Sequence, residues 1–248
     1  MQHYFLSQTI KVGDQIQLPD DVSHHLSRVL RAEVGDQIEV VSSEQLVFQA
    51  EVSQLVRQKV TVSVTKQLPV NVELPVKATI VSGLSKGNKP ELIVQKATEL
   101  GVSQIVFLPM KWSIVKWDQK SVKKIKRLNE VALSAAEQSH RNVVPTVSYL
   151  KSLKALVAMN FDTKLVAYEE SAKVGEKAEL LKQVEATPVG HSIVAVFGPE
   201  GGIAPEEIQL LNQNGFTNVG LGPRIMRTET APLYFLTAVS VLTELQGS

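Results

Sequence analysis

KATIVSGLSKGNKPELIVQKATELGVSQIVFL, residues 77–108, reads as strand, helix, strand. Ala78–Leu84 is an apolar run interrupted only by Thr79, Ser82 and Gly83, the pattern of a strand covered on both faces. Pro90 stands at the start of the following helix and Gly101 just past its end, the usual asymmetry of helix boundaries. VSQIVFLPM, residues 102–110, supplies the second strand.

Toward the C-terminus the same grammar repeats. A long helix from about Asp118 to His140 puts Val122, Ile125, Leu128, Val131, Ala132 and Ala135 along one stripe. LVAYEE (165–170), SIVAVFGPEGG (192–202) and TNVGLGPRIM (217–226) are three further strand-then-loop units. APEEIQLLNQNG (204–215) is a helix between the last two, and APLYFLTAVSVLTEL (231–245) is an apolar helix at the end. Alternating strands and helices predict an α/β domain with a mostly parallel sheet and helices on both faces.

Toward the N-terminus the period changes to two. IKVGDQIQL (10–18), DQIEVV (36–41), LVFQAEV (46–52) and KVTVSVTKQL (59–68) read as short strands, with one helix over Asp20–Arg31. Several short strands and one helix predict a small β-barrel. Pro69 and Pro75 bracket a boundary, giving domains 1–72 and 73–248.

Composition narrows the class. The 248 residues are 44% hydrophobic and 21% charged, ordinary for a globular protein with a sizeable core. There is no cysteine, which excludes disulfides and thiolate chemistry. His24 and His25 lack the spaced partners of a metal site, so no metal is expected. The N-terminus lacks the features of a signal peptide, and no run is long enough to span a bilayer, so the expected place is the cytoplasm, with no membrane partner. Net charge is only +1, but residues 111–127 hold seven basic residues against Asp118 alone. Such a stripe suits a phosphate backbone or a solvated helix face.

Two loops concentrate chemistry. Gly198-Pro199-Glu200-Gly201-Gly202 follows a buried strand, where open parallel sheets bind ligands. It does not match G-x-G-x-x-G, which argues against a nicotinamide oxidoreductase. Leu221–Ala231, LGPRIMRTETA, gathers Arg224, Arg227, Thr228, Glu229 and Thr230 before the last helix. A threonine there can serve as a helix N-cap, but capping does not require two arginines and a carboxylate.

With HHLSRVLR (24–31), QKATELGV (95–102) and AEQSHRNVVP (136–145), these loops resemble the SPOUT superfamily of RNA methyltransferases. Within it they resemble the family that methylates uracil N3 in 16S rRNA, and the resemblance covers almost the full chain. It implies a PUA-like β-barrel, RNA-binding, followed by a SPOUT-type α/β domain with a C-terminal trefoil knot. The implied cofactor is S-adenosyl-L-methionine, held by Tyr168 with the neighbouring Glu169, by Gly198, Glu200, Gly201 and Gly202, and by Leu221, Gly222, Ile225, Met226, Arg227 and Thr228. Arg227 is expected to stabilise charge on the uracil oxygens, and Glu229 to orient Arg227 or assist proton removal. His25, Arg28, Arg31, Lys116, Lys123 and Lys124 are expected to bind RNA. The implied partners are the 16S rRNA of the small ribosomal subunit and a second copy in a homodimer, for which the last helix is one suitable face; that helix reads equally as core. His3 departs from the pattern, standing where the family has an arginine, and is expected to be a weaker RNA contact at neutral pH. Trp112 and Trp117 interleave with the basic stripe, and each reads first as core or rim.

Two rivals remain. A 2′-O-ribose methyltransferase on the same scaffold would carry an early Asn-x-Gly-Ala-x-x-Arg stretch, absent here. A non-catalytic RNA-binding protein would not need intact GPEGG and RTETA loops.

Overall fold

The computed structural model describes residues 1–118, 121–168 and 179–245. They form two compact units: residues 1–72 with 137–143, and residues 73–136 with 144–248. The sequence reading leaves 137–143 in the second domain.

The first unit is built on a five-stranded sheet. Its elements are β1 (Gln2–Phe5), β2 (Gln15–Gln17), α1 (Asp20–His24), β3 (Gln37–Val41), β4 (Val47–Val56) and β5 (Lys59–Leu68), and α1 runs on into a π-helical turn over His25–Val29. Strand order is β1-β3-β4-β5-β2. All pairs are antiparallel except β1 with β3. Alternation decides what is buried. Val60, Val62 and Val64 of β5 point inward onto Phe48, Ala50 and Val52 of β4, with Leu26 of the π-helical turn closing the core. Two register shifts in β4–β5 mark the bulges by which such a sheet curls around its core.

The segment 137–143 belongs here through side chains. Asn142 accepts from Val72 N and donates to Val70 O and Gln45 O. His140, whose backbone sits at φ +55, bonds Glu39 Oε2 through Nδ1 at 2.7 Å. His3 meets the same oxygen at 2.9 Å and Arg141 O at 2.8 Å, so both its ring nitrogens face acceptors. Burial alone would raise the Glu39 carboxyl, but the two histidines outweigh it and hold it below the usual carboxylate range. His3 is 3% exposed, so the expected RNA contact at this position gives way to a buried polar tie.

Glu137 carries a pH dependence. Burial first, then the charge of Asp21, pushes its carboxyl up to about 7. The neutral form is the one the fold favours, so its contribution is present below the ordinary carboxylate value and lost as pH rises through 7. Glu137→Gln is therefore expected to unfold later than the parent at pH 8. In paired denaturant melts the gap should shrink steadily toward pH 5, and a gap independent of pH would contradict this assignment.

The second unit is an α/β layer structure. Its elements are β6 (Lys77–Gly83), α2 (Lys89–Glu99), β7 (Gln104–Leu108), α3 (Ser121–Gln138), β8 (Thr146–Tyr149), α4 (Leu153–Val157), β9 (Thr163–Ala167), α5 (Glu179–Glu185), β10 (Ser192–Phe197), α6 (Pro205–Gln213), β11 (Thr217–Val219) and α7 (Ala231–Ser240). The six strands run in the order β11-β9-β10-β6-β7-β8, every pair parallel. Strand β10 shows how the faces divide. Ile193, Ala195 and Phe197 join one core with α2, α3 and α7, while Val194 and Val196 join another with α4 and α6. That is why these strands read as unbroken apolar runs.

On α3, Leu128, Ala132 and Ala135 are buried as expected, but Val122 is 79% exposed because it lies in the first turn. On α7, Phe235, Leu236 and Val239 are fully buried and pack in the core; Leu233 and, just beyond α7, Leu242 pack partly against it. Among the described residues no helix is long and apolar enough to cross a membrane.

Candidate active site

The carboxyl ends of β9, β10 and β11 lie side by side in the sheet, and a cavity of about 970 Å³ opens there. Ligands of open α/β sheets bind at such ends, and their sites usually measure roughly 300–1,000 Å³. Tyr168 after β9, Gly198–Gly202 after β10 and Leu221–Thr228 after β11 line it, together with Lys89 and Trp112. The structure thus brings all the residues named for the cofactor into one cavity, apart from Glu169, which lies outside the described residues.

The glycines are there for closeness. A Cβ on Gly198 would lie 2.8 Å from the Gly202 carbonyl carbon, and one on Gly201 would lie 2.8 Å from Trp112 Cβ. Gly202 and Gly222 adopt φ +81 and +89, the left-handed region that costs glycine little. One glycine escaped the sequence reading. Gly83 ends β6, and a Cβ there would meet Pro199 Cδ at 2.5 Å. No local pattern marks it, because its neighbour lies on the loop after β10.

Two ties join the loops. Thr228, 7% exposed, donates its hydroxyl to Gly198 O at 2.8 Å. Thr230 occupies the N-cap position of α7 but makes no side-chain capping bond. Thr228→Val keeps the shape and removes the donor. It should cost about 1 kcal/mol of stability, the ordinary worth of one such bond. It should also weaken ligand binding in the cavity, read by calorimetry; unchanged melting and binding would make the tie dispensable.

The second tie is ionic. Lys89 Nζ lies 2.9 Å from Glu200 Oε1 and 3.4 Å from Glu229 Oε2. The hydrogen bond to Glu200 leads in raising the Lys89 ammonium above its ordinary value. Burial alone would raise the Glu200 carboxyl; Lys89 and the Lys86 backbone N–H reverse this and hold it below the usual range. Glu229 Oε2 is buried and completes no hydrogen bond among the described residues, so Lys89 is its counter-charge. Glu229 therefore faces Lys89 and not Arg227, and it stands outside the cavity lining. No ion pair or hydrogen bond joins Glu229 to Arg227 among the described residues.

Arg227 is exposed and lines the cavity, and its guanidinium makes no ion pair or hydrogen bond among the described residues. Its carbonyl accepts from Thr230 N at 2.8 Å and Ala231 N at 3.0 Å, which fixes the backbone below a free side chain. An unpaired, planar fork of donors at a cavity wall is suited to oxygen atoms of an incoming group.

The residues expected to bind RNA are mostly at the surface. In the first unit Arg28 and Arg31 are exposed, while His25 is half-buried with Nδ1 2.9 Å from the Tyr4 hydroxyl. In the second, Lys116, Lys123 and Lys124 are exposed, Lys124 lying 5.4 Å from the Trp117 ring centroid. Lys111 and Arg127 are instead taken up by Glu206 and Glu91. Lys120 lies outside the described residues.

The RNA methyltransferase domain model matches residues 72–240, and the RNA methyltransferase PUA domain model matches residues 18–65. A Bacillus subtilis ribosomal RNA small subunit methyltransferase E is 41% identical over 251 residues, 99% of this chain and 98% of that protein. The chain belongs to the ribosomal RNA small subunit methyltransferase E family. A crystal structure of a family member from Neisseria gonorrhoeae, bound to S-adenosyl methionine, superposes with a TM-score of 0.87 at 31% identity, covering 98% of each chain. A methyltransferase from Legionella pneumophila with bound SAM gives 0.84 at 29% identity over 96% of each. The family's architecture is thus that of this chain: a PUA-like β domain and a parallel-sheet α/β domain.

Proposed function

We propose that the chain transfers a methyl group from S-adenosyl-L-methionine to N3 of one uridine in 16S rRNA of the small ribosomal subunit. The observation that carries this is the cavity at the ends of β9, β10 and β11, walled by two glycine-bearing loops and edged by the unpaired Arg227. The close approaches at Gly198 and Gly201 leave backbone, not side chains, at its wall, which suits a flat, elongated cofactor. When bound, that cofactor supplies an electrophilic methyl on a sulfonium, so direct displacement needs neither a metal nor a covalent enzyme intermediate.

The chain's own residues supply position and charge. N3 gives up its proton to solvent water before it takes the methyl, and the negative charge this leaves is shared with the flanking uracil oxygens. Arg227 offers charged guanidinium donors to one of those oxygens, leaving N3 open to the methyl. Glu229 acts as a positioning residue: with Lys89 and Glu200 it ties the second loop to the first. Since N3 lies on the Watson–Crick edge, the target base must be unpaired or drawn from its stack. His25, Arg28 and Arg31 on the PUA-like domain serve the surrounding RNA, and Lys116, Lys123 and Lys124 serve its phosphates. In this reading the C-terminal segment threads the fold as a trefoil knot, the chain acts as a homodimer in the cytoplasm, and Tyr234, Val241 and Leu245 give the end of the chain an exposed apolar face for the second copy.

Calorimetric titration with S-adenosyl-L-methionine, followed by label transfer to small ribosomal subunits, tests this. Saturable binding with label in rRNA is expected. Binding without transfer to any RNA would favour a non-catalytic RNA-binding protein.

A further inference from the structure

The two tryptophans are five residues apart and have opposite surroundings. Trp117 is 3% exposed and packs against Phe107 and Tyr149, with ring centroids 5.1 and 6.0 Å away. Trp112 is 43% exposed, lines the cavity, and has no ring or hydrogen-bonding partner among the described residues. An indole half open to a ligand-sized cavity offers an apolar face and a polar N–H to whatever occupies it.

Its seat is rigid. Met110 N donates to Ser113 Oγ at 3.1 Å, and Ser113 N donates to Met110 O at 2.9 Å, closing the turn that carries Trp112. Lys111 N donates to Glu207 Oε1 at 2.8 Å, pinning the same turn to the start of α6. The Trp112 side chain lies against the backbone of Gly201 and Gly202. A Cβ at Gly201 would stand 2.8 Å from Trp112 Cβ, and one at Gly202 would stand 3.9 Å from Cζ3. A side chain at Gly201 would press on Trp112 where its side chain leaves the backbone. Lys116, exposed and without an ion pair among the described residues, follows on the same segment.

We propose that Trp112 is the stacking platform for an unpaired base of the substrate RNA at the cavity mouth, an inference that rests on the reading of this cavity as a site of base methylation. A base withdrawn from its stack loses its π-contacts, and a fixed indole restores one without asking which base it is. Preorganisation by the turn and by Gly201–Gly202 means that little side-chain entropy is lost when the base arrives. Lys116 supplies a phosphate contact beside it, which an RNA strand needs and the cofactor does not.

The test uses the full chain and two variants, Trp112→Ala and Trp112→Phe, on unmodified small ribosomal subunits. Trp112→Ala is expected to lower kcat/KM for subunits by about 10- to 100-fold, the range for losing one base–aromatic stack. Trp112→Phe keeps a ring and should stay within about 3-fold of the parent, and the Kd for S-adenosyl-L-methionine should be unchanged in both. A second readout needs no turnover: a short single-stranded uridine oligonucleotide should quench parent fluorescence, and Trp112→Phe should abolish the quench while the buried Trp117 still emits. Full activity in Trp112→Ala, equal loss in Trp112→Phe, or a cofactor Kd that rises by as large a factor as kcat/KM falls would each overturn the proposal. If the parent binds cofactor but methylates no RNA, the functional reading fails, and the quench still decides the platform.

Discussion

Arg227→Ala is expected to slow methyl transfer by about 10²- to 10³-fold in single-turnover assays, the usual cost of losing one donor to a developing oxyanion. The expectation rests on what surrounds the side chain. Arg227 lines the cavity, is exposed, and has no acidic partner among the described residues. Its charge is therefore not consumed by the fold, and removing it leaves no buried carboxylate behind. The backbone beneath is held by Thr230 N and Ala231 N, so the loop survives the truncation. Cofactor affinity should stay within about 3-fold, and folding should be unchanged. Arg227→Lys restores a point charge without the planar fork and should recover only part of the rate. Parent-like chemistry in Arg227→Ala would remove it from the mechanism.

The second large effect is expected at a residue that touches no ligand. Gly83→Ala puts a methyl 2.5 Å from Pro199 Cδ and 2.6 Å from Pro199 N, with Met110 Sδ at 3.1 Å. Proline cannot swing aside, since its ring is part of the backbone, and Gly83 is held in the sheet opposite Leu108. The loop after β10 must move. Overpacking of this kind costs about 1–3 kcal/mol. Calorimetry should show at least a 10-fold loss of cofactor affinity alongside a lower Tm. A variant that melts earlier but binds cofactor normally would show that the loop tolerates displacement.

The layers of the fold were legible where burial imposes a period. The apolar runs of β6, β7 and β10 and the alternating β5 lie where the periodicity predicts, and α2 has Pro90 in its first turn and Gly101 just past its end. Elements that depend on distant partners were not legible. Strand β1 is four residues long and exists through parallel pairing with β3, and β8 likewise through β7. Residues 137–143 look like the tail of a helix, yet their side chains bond Glu39, Val70 and Gln45.

The site divides in the same way. Loops at strand ends announce themselves by composition, so Gly198–Gly202 and Leu221–Thr228 were readable. Pairings within them were not. Glu229 stands two residues from Arg227 in sequence, but its counter-charge is Lys89, brought in by the first turn of α2. Trp112 and Trp117 are alike in sequence, and only packing separates a core residue from a cavity wall.

Methyl transfer to uracil N3 is best tested by incubating the chain and labelled S-adenosyl-L-methionine with small ribosomal subunits that lack the modification, then digesting the rRNA and identifying the labelled nucleoside. 3-Methyluridine at a single position of 16S rRNA is expected, formed by the parent and nearly lost in Arg227→Ala. Label on a ribose 2′-oxygen or on another base would contradict it.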